Sequence, residues 1–468
     1  MPRHSTRCYA AQEMSRRVAF AAAVLTVAWL LAYAPTIRGG FIKDDFGWIY
    51  HSRIDGPSSL LSAFTTAQVF YRPMVHLSFG LTEAIAGNNP VPYALTNLLL
   101  GLACAASIYM LGRAIGLVSW AALAGSAAWA FNFHGINMAI VWLSGRTSLL
   151  GTLFSTLAAL AFLRNRTIAA GVFAFGAFLS KEEVLALPII MMLWSVLNGV
   201  DPRRTAAMWV ALAGYFVLRI NSGAVDISNA PPYYQFVYDP AHVATNIFEY
   251  ADRSMTLAIL VIIAAMIAFG ASPRLDRDGR RHALMGASWL VLGFAVTIWL
   301  PIRSSLYAVF PSVGVALATG AMLTAITRAT TPRRAWRFAA AAMALPFLLL
   351  PIYWARNVRW TELRDLSSVT IKTIQQDHLS PQTLVVLEDD LSTRANFRHV
   401  FGALLPEATA LIFKNELSIW IEPPTPELEG RSKPPASGNV ATYRLVGGRV
   451  EVKPSIAAAT LGDKRFDK

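Results

Sequence analysis

Charge is what this sequence has least of. Only 15% of its 468 residues are Asp, Glu, Lys or Arg, against 55% hydrophobic and a mean hydropathy of +0.44. A soluble chain of this size carries nearer a quarter charged to cover its surface, so a soluble globular fold is excluded. Cysteine is scarcer still: Cys8 stands in an N-terminal tail and Cys104 inside an apolar run. The two belong to different sides or depths of a membrane, which argues against a disulfide between them. Metal spacing of the HxxxH kind is missing. So is any 30–40-residue period of the sort that builds helical arrays. Acidic residues are outnumbered, giving a net charge of +13. Residues 355–468 contribute only +1 of it, and the other +12 lies in the apolar part of the chain. There arginine gathers in short loops such as Arg203-Arg204, Arg280-Arg281 and Arg333-Arg334. That is the positive-inside pattern of a membrane protein and not a nucleic-acid surface.

What is present is a series of apolar stretches near the roughly 20 residues that cross a bilayer. They predict about eleven spans, at 18–36, 92–112, 117–133, 147–163, 167–180, 184–199, 206–221, 255–271, 283–301, 305–326 and 338–354. The first reads as an uncleaved helix, because no small-residue cleavage site and soluble domain follow it. Threading the chain through these spans collects 17 Lys and Arg but four acids on the face holding residues 1–17, which makes that face cytoplasmic. The expected fold is thus an all-α polytopic membrane domain over 18–354, N-terminus in and C-terminus out. A cytoplasmic tail, 1–17, precedes it. Its first outer loop, 37–91, is long, and the stretch 72–86 within it reads as an interfacial or re-entrant helix, since a span there would invert the charge bias. Residues 355–468 read as a small α/β extracytoplasmic domain. Strands are expected at Thr383-Leu384-Val385-Val386-Leu387 and Leu411-Ile412-Phe413, a hairpin over 441–452 around Gly447-Gly448, and loops at Pro423-Pro424 and Pro434-Pro435.

Charged groups are costly near a bilayer, so their positions carry information. On the outer face they fall at the ends of spans: Asp44-Asp45, Arg72, Arg146, Lys181-Glu182-Glu183 and Arg303, joined by His134 and Asn137. Each has a purely structural reading. Asp44 or Asp45 fits an N-cap; Ser180-Lys181-Glu182-Glu183 fits a capping box; Arg146 fits a snorkelling turn residue; His134 fits a satisfied interfacial histidine.

The order of the motifs adds to this. Lys43-Asp44-Asp45-Phe46 follows the first span, and Tyr71-Arg72-Pro73-Met74-Val75-His76 lies farther along the loop. Next come Tyr93-Ala94-Leu95-Thr96-Asn97, Phe133-His134-Gly135-Ile136-Asn137, Trp142-Leu143-Ser144-Gly145-Arg146 and Leu179-Ser180-Lys181-Glu182. Over about residues 20–200 this series resembles bacterial relatives of the TMTC-type protein O-mannosyltransferases, within the GT-C superfamily of glycosyltransferases that use polyprenyl-phosphate-linked sugars. Arg303, Tyr307 and Phe310-Pro311-Ser312 resemble a later motif more loosely. The chain has His134-Gly135-Ile136-Asn137 where the family often has His-Pro-Val-His, and it lacks the tetratricopeptide repeats of many relatives.

The resemblance implies a GT-C-like membrane enzyme. It moves a sugar from a polyprenyl-phosphate donor to a hydroxyl of a protein, envelope glycan or glycolipid at the periplasmic face of a bacterial inner membrane. Asp44 becomes the general base of an inverting displacement, and Asp45 positions the acceptor or that base. Arg72, Arg146, Lys181 and Arg303 meet the donor phosphate, and Glu182, His134, Asn137 and Tyr307 support them, with Glu182 orienting Lys181. The scheme needs no cofactor or metal, although paired carboxylates could hold a divalent cation. A transporter or flippase for a lipid-linked sugar and an inactive envelope-assembly scaffold are the competing expectations.

Overall fold

The computed structural model describes residues 3–67, 70–224, 234–328, 332–424, 433 and 439–453 of the chain. Helix α1 (Arg3–Tyr33) carries no charge over 18–33 and ends at the turn Ala34–Thr36, where Pro35 cannot continue its ladder. The first loop then folds as three helices: α2 (Asp44–His51), α3 (Pro57–Thr65) and α4 (Pro73–Ala86). Proline opens two of them, at the first helical position where its missing N–H is no loss. Helix α4 is the expected helix at 72–86; it buries Val75, His76 and Phe79 and leaves Leu81 and Ile85 exposed.

The main bundle follows as α5 (Pro90–Ala114), α6 (Ser119–Ala130), α7 (Ile136–Val141), α8 (Arg146–Leu163), α9 (Thr167–Phe178), α10 (Leu187–Leu197), α11 (Ala206–Asn221), α12 (Pro240–Phe269), α13 (Arg277–Gly293), α14 (Ser312–Arg328), α15 (Pro332–Leu348) and α16 (Leu350–Gln376). Helices α13 and α14 pack closest, because Gly286 and Gly314 face each other: a Cβ on either would strike the other's carbonyl oxygen. Cys104 is buried in α5 with its thiol on the Leu149 carbonyl, 3.3 Å away, while the side chain of Cys8 lies outside the described residues.

Helices stand at the predicted spans, but length does not reproduce eleven crossings. Among the described residues, five segments are long and apolar enough to cross a membrane: Arg16–Thr36, Pro90–Ala114, Leu143–Leu163, Pro240–Phe269 and Ala341–Gln376. Thr167–Phe178 and Ser312–Arg328 are apolar but shorter. At a rise of about 1.5 Å per residue, the 11 residues of α10 reach only about half of a hydrocarbon core. Helix α16 also runs unbroken through residue 355, where the sequence reading divides the chain.

Beyond α16 lies a four-stranded sheet of β1 (Leu384–Glu388), β2 (Ser418–Glu422), β3 (Val440–Val446) and β4 (Arg449–Lys453), in the order β2-β1-β3-β4. Strand β1 is parallel to both neighbours, Leu384 standing opposite Ser418 and Val440. The expected hairpin is present: β3 and β4 are antiparallel, and Gly447 and Gly448 both take the positive φ that a two-residue turn demands. Leu411-Ile412-Phe413 is not a strand. It ends α18 (Leu405–Phe413), which has Pro406 in its first turn and buries Leu405, Ala408, Thr409 and Leu411 at helical spacing. Three apolar residues were too few to reveal that period, and the true partner strand, β2, went unread. Pro423-Pro424 lies in the expected loop, whereas Pro434-Pro435 falls outside the described residues.

The sheet domain is seated on α2. Between β1 and α18 comes α17 (Phe397–Phe401), whose Phe401 stacks on Phe46 at 5.7 Å, and the Lys43 N–H donates to the Val400 carbonyl at 2.7 Å. From α16, the buried Arg364 reaches into the loop after α1, donating to the carbonyls of Gly40 (3.0 Å), Gly39 (3.0 Å) and Thr36. Replacing Arg364 with Met should leave those carbonyls unpaired and lower stability by about 3 kcal/mol, read as thermal unfolding in detergent; an unchanged midpoint would show that the loop holds itself.

Candidate functional site

The Asp44-Asp45 pair is aimed by Lys43, which sits at φ 51°, a left-handed conformation that L-residues other than glycine rarely take. That kink starts α2 and sends the two carboxylates to different surroundings. Asp45 is fully buried. Its Oδ1 accepts the Ser144 N–H (2.9 Å) and the Ser144 hydroxyl (2.6 Å), and its Oδ2 accepts the Ile42 N–H (3.1 Å). Burial pushes its pKa up to about 6, against the pull of those donors and of Arg364. Asp44 is half-buried and accepts no hydrogen bond among the described residues. Burial raises its pKa above the ordinary carboxylate value, and Lys43 and Arg72 draw it back. The N-cap expectation fails in detail: Lys43 holds that position, and Asp45 bonds backward to Ile42.

A second group forms where α9 ends. Glu182 opens the short turn Glu182–Ala186 and takes two donors from Arg72, at 2.6 and 3.1 Å, on one oxygen. Arg219, from α11, reaches its other oxygen at 3.3 Å. Burial opposes the charge on Glu182, yet Arg72 and then Arg219 hold its pKa at about 2. Lys181 turns the other way, pairing with Glu183 (3.2 Å) and donating to the Ser148 hydroxyl (2.5 Å), under the Tyr307 ring at 5.1 Å. Burial lowers the Lys181 pKa and raises that of Glu183, each offset by the other's charge. Glu182 therefore orients Arg72, not Lys181. The capping box is absent too, since Ser180 donates to the Gly176 carbonyl instead.

Arg146 departs furthest from expectation. It is fully buried, and its guanidinium donates to Asn97 Oδ1, the Ser78 carbonyl, Thr82 Oγ1 and the Tyr93 carbonyl at 3.0–3.1 Å, over the Phe79 ring at 4.2 Å. It clamps α4 and α5 to the start of α8, and its complete burial keeps it from a phosphate. Asn137 is also structural: its amide bonds Asn357 of α16, which in turn donates to the Ala32 carbonyl. Arg303 is exposed, with Nε on Asn246 Oδ1 at 2.7 Å. His134 stands at the rim, 3.9 Å from Asp252 and 3.4 Å from Arg356, and burial and Arg356 lower its pKa.

The structure thus brings Asp44 within electrostatic reach of Arg72, and Arg72 within reach of Tyr307 and, through Glu182, of Arg219. Arg219 and Arg356 went unread in the sequence. A signal existed for the second, since Arg356 and Arg359 are one helical turn apart just past the last predicted span. A cation held between the paired carboxylates does not fit, because both Asp45 oxygens face hydrogen-bond donors. Among the described residues, no three His, Cys, Asp or Glu side chains come together as a metal site would need.

Asp45→Ala should lower stability by about 2–4 kcal/mol, because it strands the buried N–H groups of Ile42 and Ser144. Ser144→Ala should cost about 1 kcal/mol, since its main-chain N–H still reaches Asp45. Thermal unfolding of both variants checks the order; a larger loss for Ser144→Ala would refute the role given to Asp45.

No family model matches the chain, and no curated protein matches it. Among solved structures it is similar to the crystal structure of ArnT from Cupriavidus metallidurans bound to undecaprenyl phosphate. That likeness has 14% identity and a TM-score of 0.48, over 87% of this chain and 86% of that one. At that score it carries no conclusion about this chain's fold family or chemistry.

Proposed function

We propose that the chain is a membrane glycosyltransferase of the GT-C kind, moving a sugar from a polyprenyl-phosphate-linked donor to an acceptor hydroxyl at the periplasmic face of a bacterial inner membrane. The observation that carries this reading is Asp44: a half-buried carboxylate with no hydrogen-bond partner among the described residues, next to a carboxylate that accepts hydrogen bonds on both oxygens. A side chain held that way, with its pKa raised by burial, suits a general base better than a structural anchor.

In the proposed step, Asp44 takes the proton of the acceptor hydroxyl. The acceptor oxygen forms a bond to the sugar's anomeric carbon as the bond from that carbon to the donor phosphate oxygen breaks. The electron pair leaves on the polyprenyl phosphate. A leaving group that is already anionic needs cations more than a general acid. Arg72 suits this work, because Glu182 takes only its Nε and one Nη, leaving Nη1 without a hydrogen bond among the described residues. Lys181, below Tyr307, and the exposed Arg303 complete the set, from which the buried Arg146 is now removed. Glu182 and Arg219 act by holding the Arg72 plane.

Purified protein given a radiolabelled polyprenyl-phosphate sugar tests the reading. Asp44→Asn should slow transfer by about 10²–10⁴-fold. The wild-type rate should rise with pH through an apparent pKa above 3.8, because the base acts only when ionised and burial raises its pKa. Unchanged transfer by the variant, or a rate that falls as pH rises through the acid range, would remove Asp44 from the base role.

A further inference from the structure

A second set of cations, apart from Arg72, gathers beyond Lys43. Lys43 precedes it in sequence and lies within electrostatic reach of Arg359, which in turn faces Arg356 and Arg394. Arg356, Arg359 and Arg394 are exposed, and none of the four forms an ion pair with a carboxylate among the described residues. Aromatic rings hold two of them in place, Arg356 over Phe133 at 5.4 Å and Arg359 over Trp360 at 5.1 Å. Trp360 stacks in turn on Trp142, two residues before the Ser144 that grips Asp45. A cluster of unpaired cations beside a general base is an anion site.

An apolar trough leads up to the same place. It lies between α1, α6, α12 and α15 and is walled by residues such as Leu25, Ala127, Val261 and Phe338. Phe131 and Leu349 also line it. The Phe131 carbonyl accepts the Tyr353 hydroxyl, and Phe133, two residues on, carries Arg356. Along α16, Arg356 is seven residues beyond Leu349, a climb of about 10 Å. Phe131 and Leu349 thus connect the trough to the part of α16 that bears Arg356 and Arg359.

We propose that the acceptor is itself a lipid, with its apolar chain in this trough and a phosphate headgroup on Arg356 and Arg359, so that a hydroxyl of the headgroup reaches Asp44. The acceptor role rests on the transferase reading above; the lipid site does not. Charge selects this occupant: a zwitterionic or uncharged lipid would leave the arginines unmatched, and a soluble phosphate ester would leave the trough empty. Asp44 then stands between two anions, each with its own cations, Arg72 for the leaving phosphate and Arg356 with Arg359 for the acceptor's.

Phosphatidylglycerol, which joins a phosphate to free hydroxyls, is a suitable probe against phosphatidylcholine, with retention on the detergent-purified full chain measured by native mass spectrometry. Wild type should retain phosphatidylglycerol about tenfold better. Arg356→Glu with Arg359→Glu should abolish that preference, while Ala127→Trp, which fills the trough, should weaken retention of both lipids. Equal retention of the two lipids by wild type, a preference that survives the double substitution, or displacement of the lipid by glycerol phosphate alone would overturn the site. Lipid preference intact in a wild type that transfers sugar to no acceptor would instead overturn the acceptor role and the transferase reading together.

Discussion

The carboxylate of Asp45 is the interaction on which the region around Asp44 depends. It joins the loop after α1 to the turn before α8, two pieces of chain about a hundred residues apart, through three donors on two oxygens. Burying an ion is expensive unless its lone pairs are satisfied, so once this pair of segments meets, no other arrangement of residues 42–45 serves as well. Asp44 inherits its position from that constraint. Its own side chain contributes nothing to the joint, which leaves it available to react.

Cations follow the same division. Arg146 and Arg364 are buried, with every guanidinium nitrogen bonded to carbonyl or side-chain oxygens, and they act as internal clamps between helices. Arg72 is half committed, steered by Glu182 but with one edge open. Arg356 and Arg359 are steered by aromatic rings, which fix a guanidinium without neutralising it. These grades of commitment separate structural charge from charge that a ligand can use, and exposure alone would not have done so for Arg72.

This separation explains what could be read from the sequence. Membrane character, the helix at 73–86 and the Gly447-Gly448 hairpin were legible, because hydropathy, proline position and paired glycines are local signals. Motif order also picked out Asp44 and Asp45 before any contact was known. Partner choice was not legible. Glu182 and Glu183 are adjacent, yet one faces Arg72 and the other Lys181, because the backbone turns between them and the partners come from distant segments. Arg146 looked available because spacing locates a residue at a helix end without saying that α4 folds back over it. The strand at Ser418–Glu422 was hidden for a similar reason: its alternation shows only once β1 lies beside it.

The hydrogen bond from Lys43 to Val400, with the stacking of Phe46 on Phe401, has a consequence for biosynthesis. Lys43 is held in its unfavourable backbone conformation by a segment that leaves the ribosome long after the first loop has been made. The order of synthesis thus works as a lock. A nascent chain carries Asp44 before it has the support that aims it, and that carboxylate takes up its final direction only when the segment around Val400 has docked.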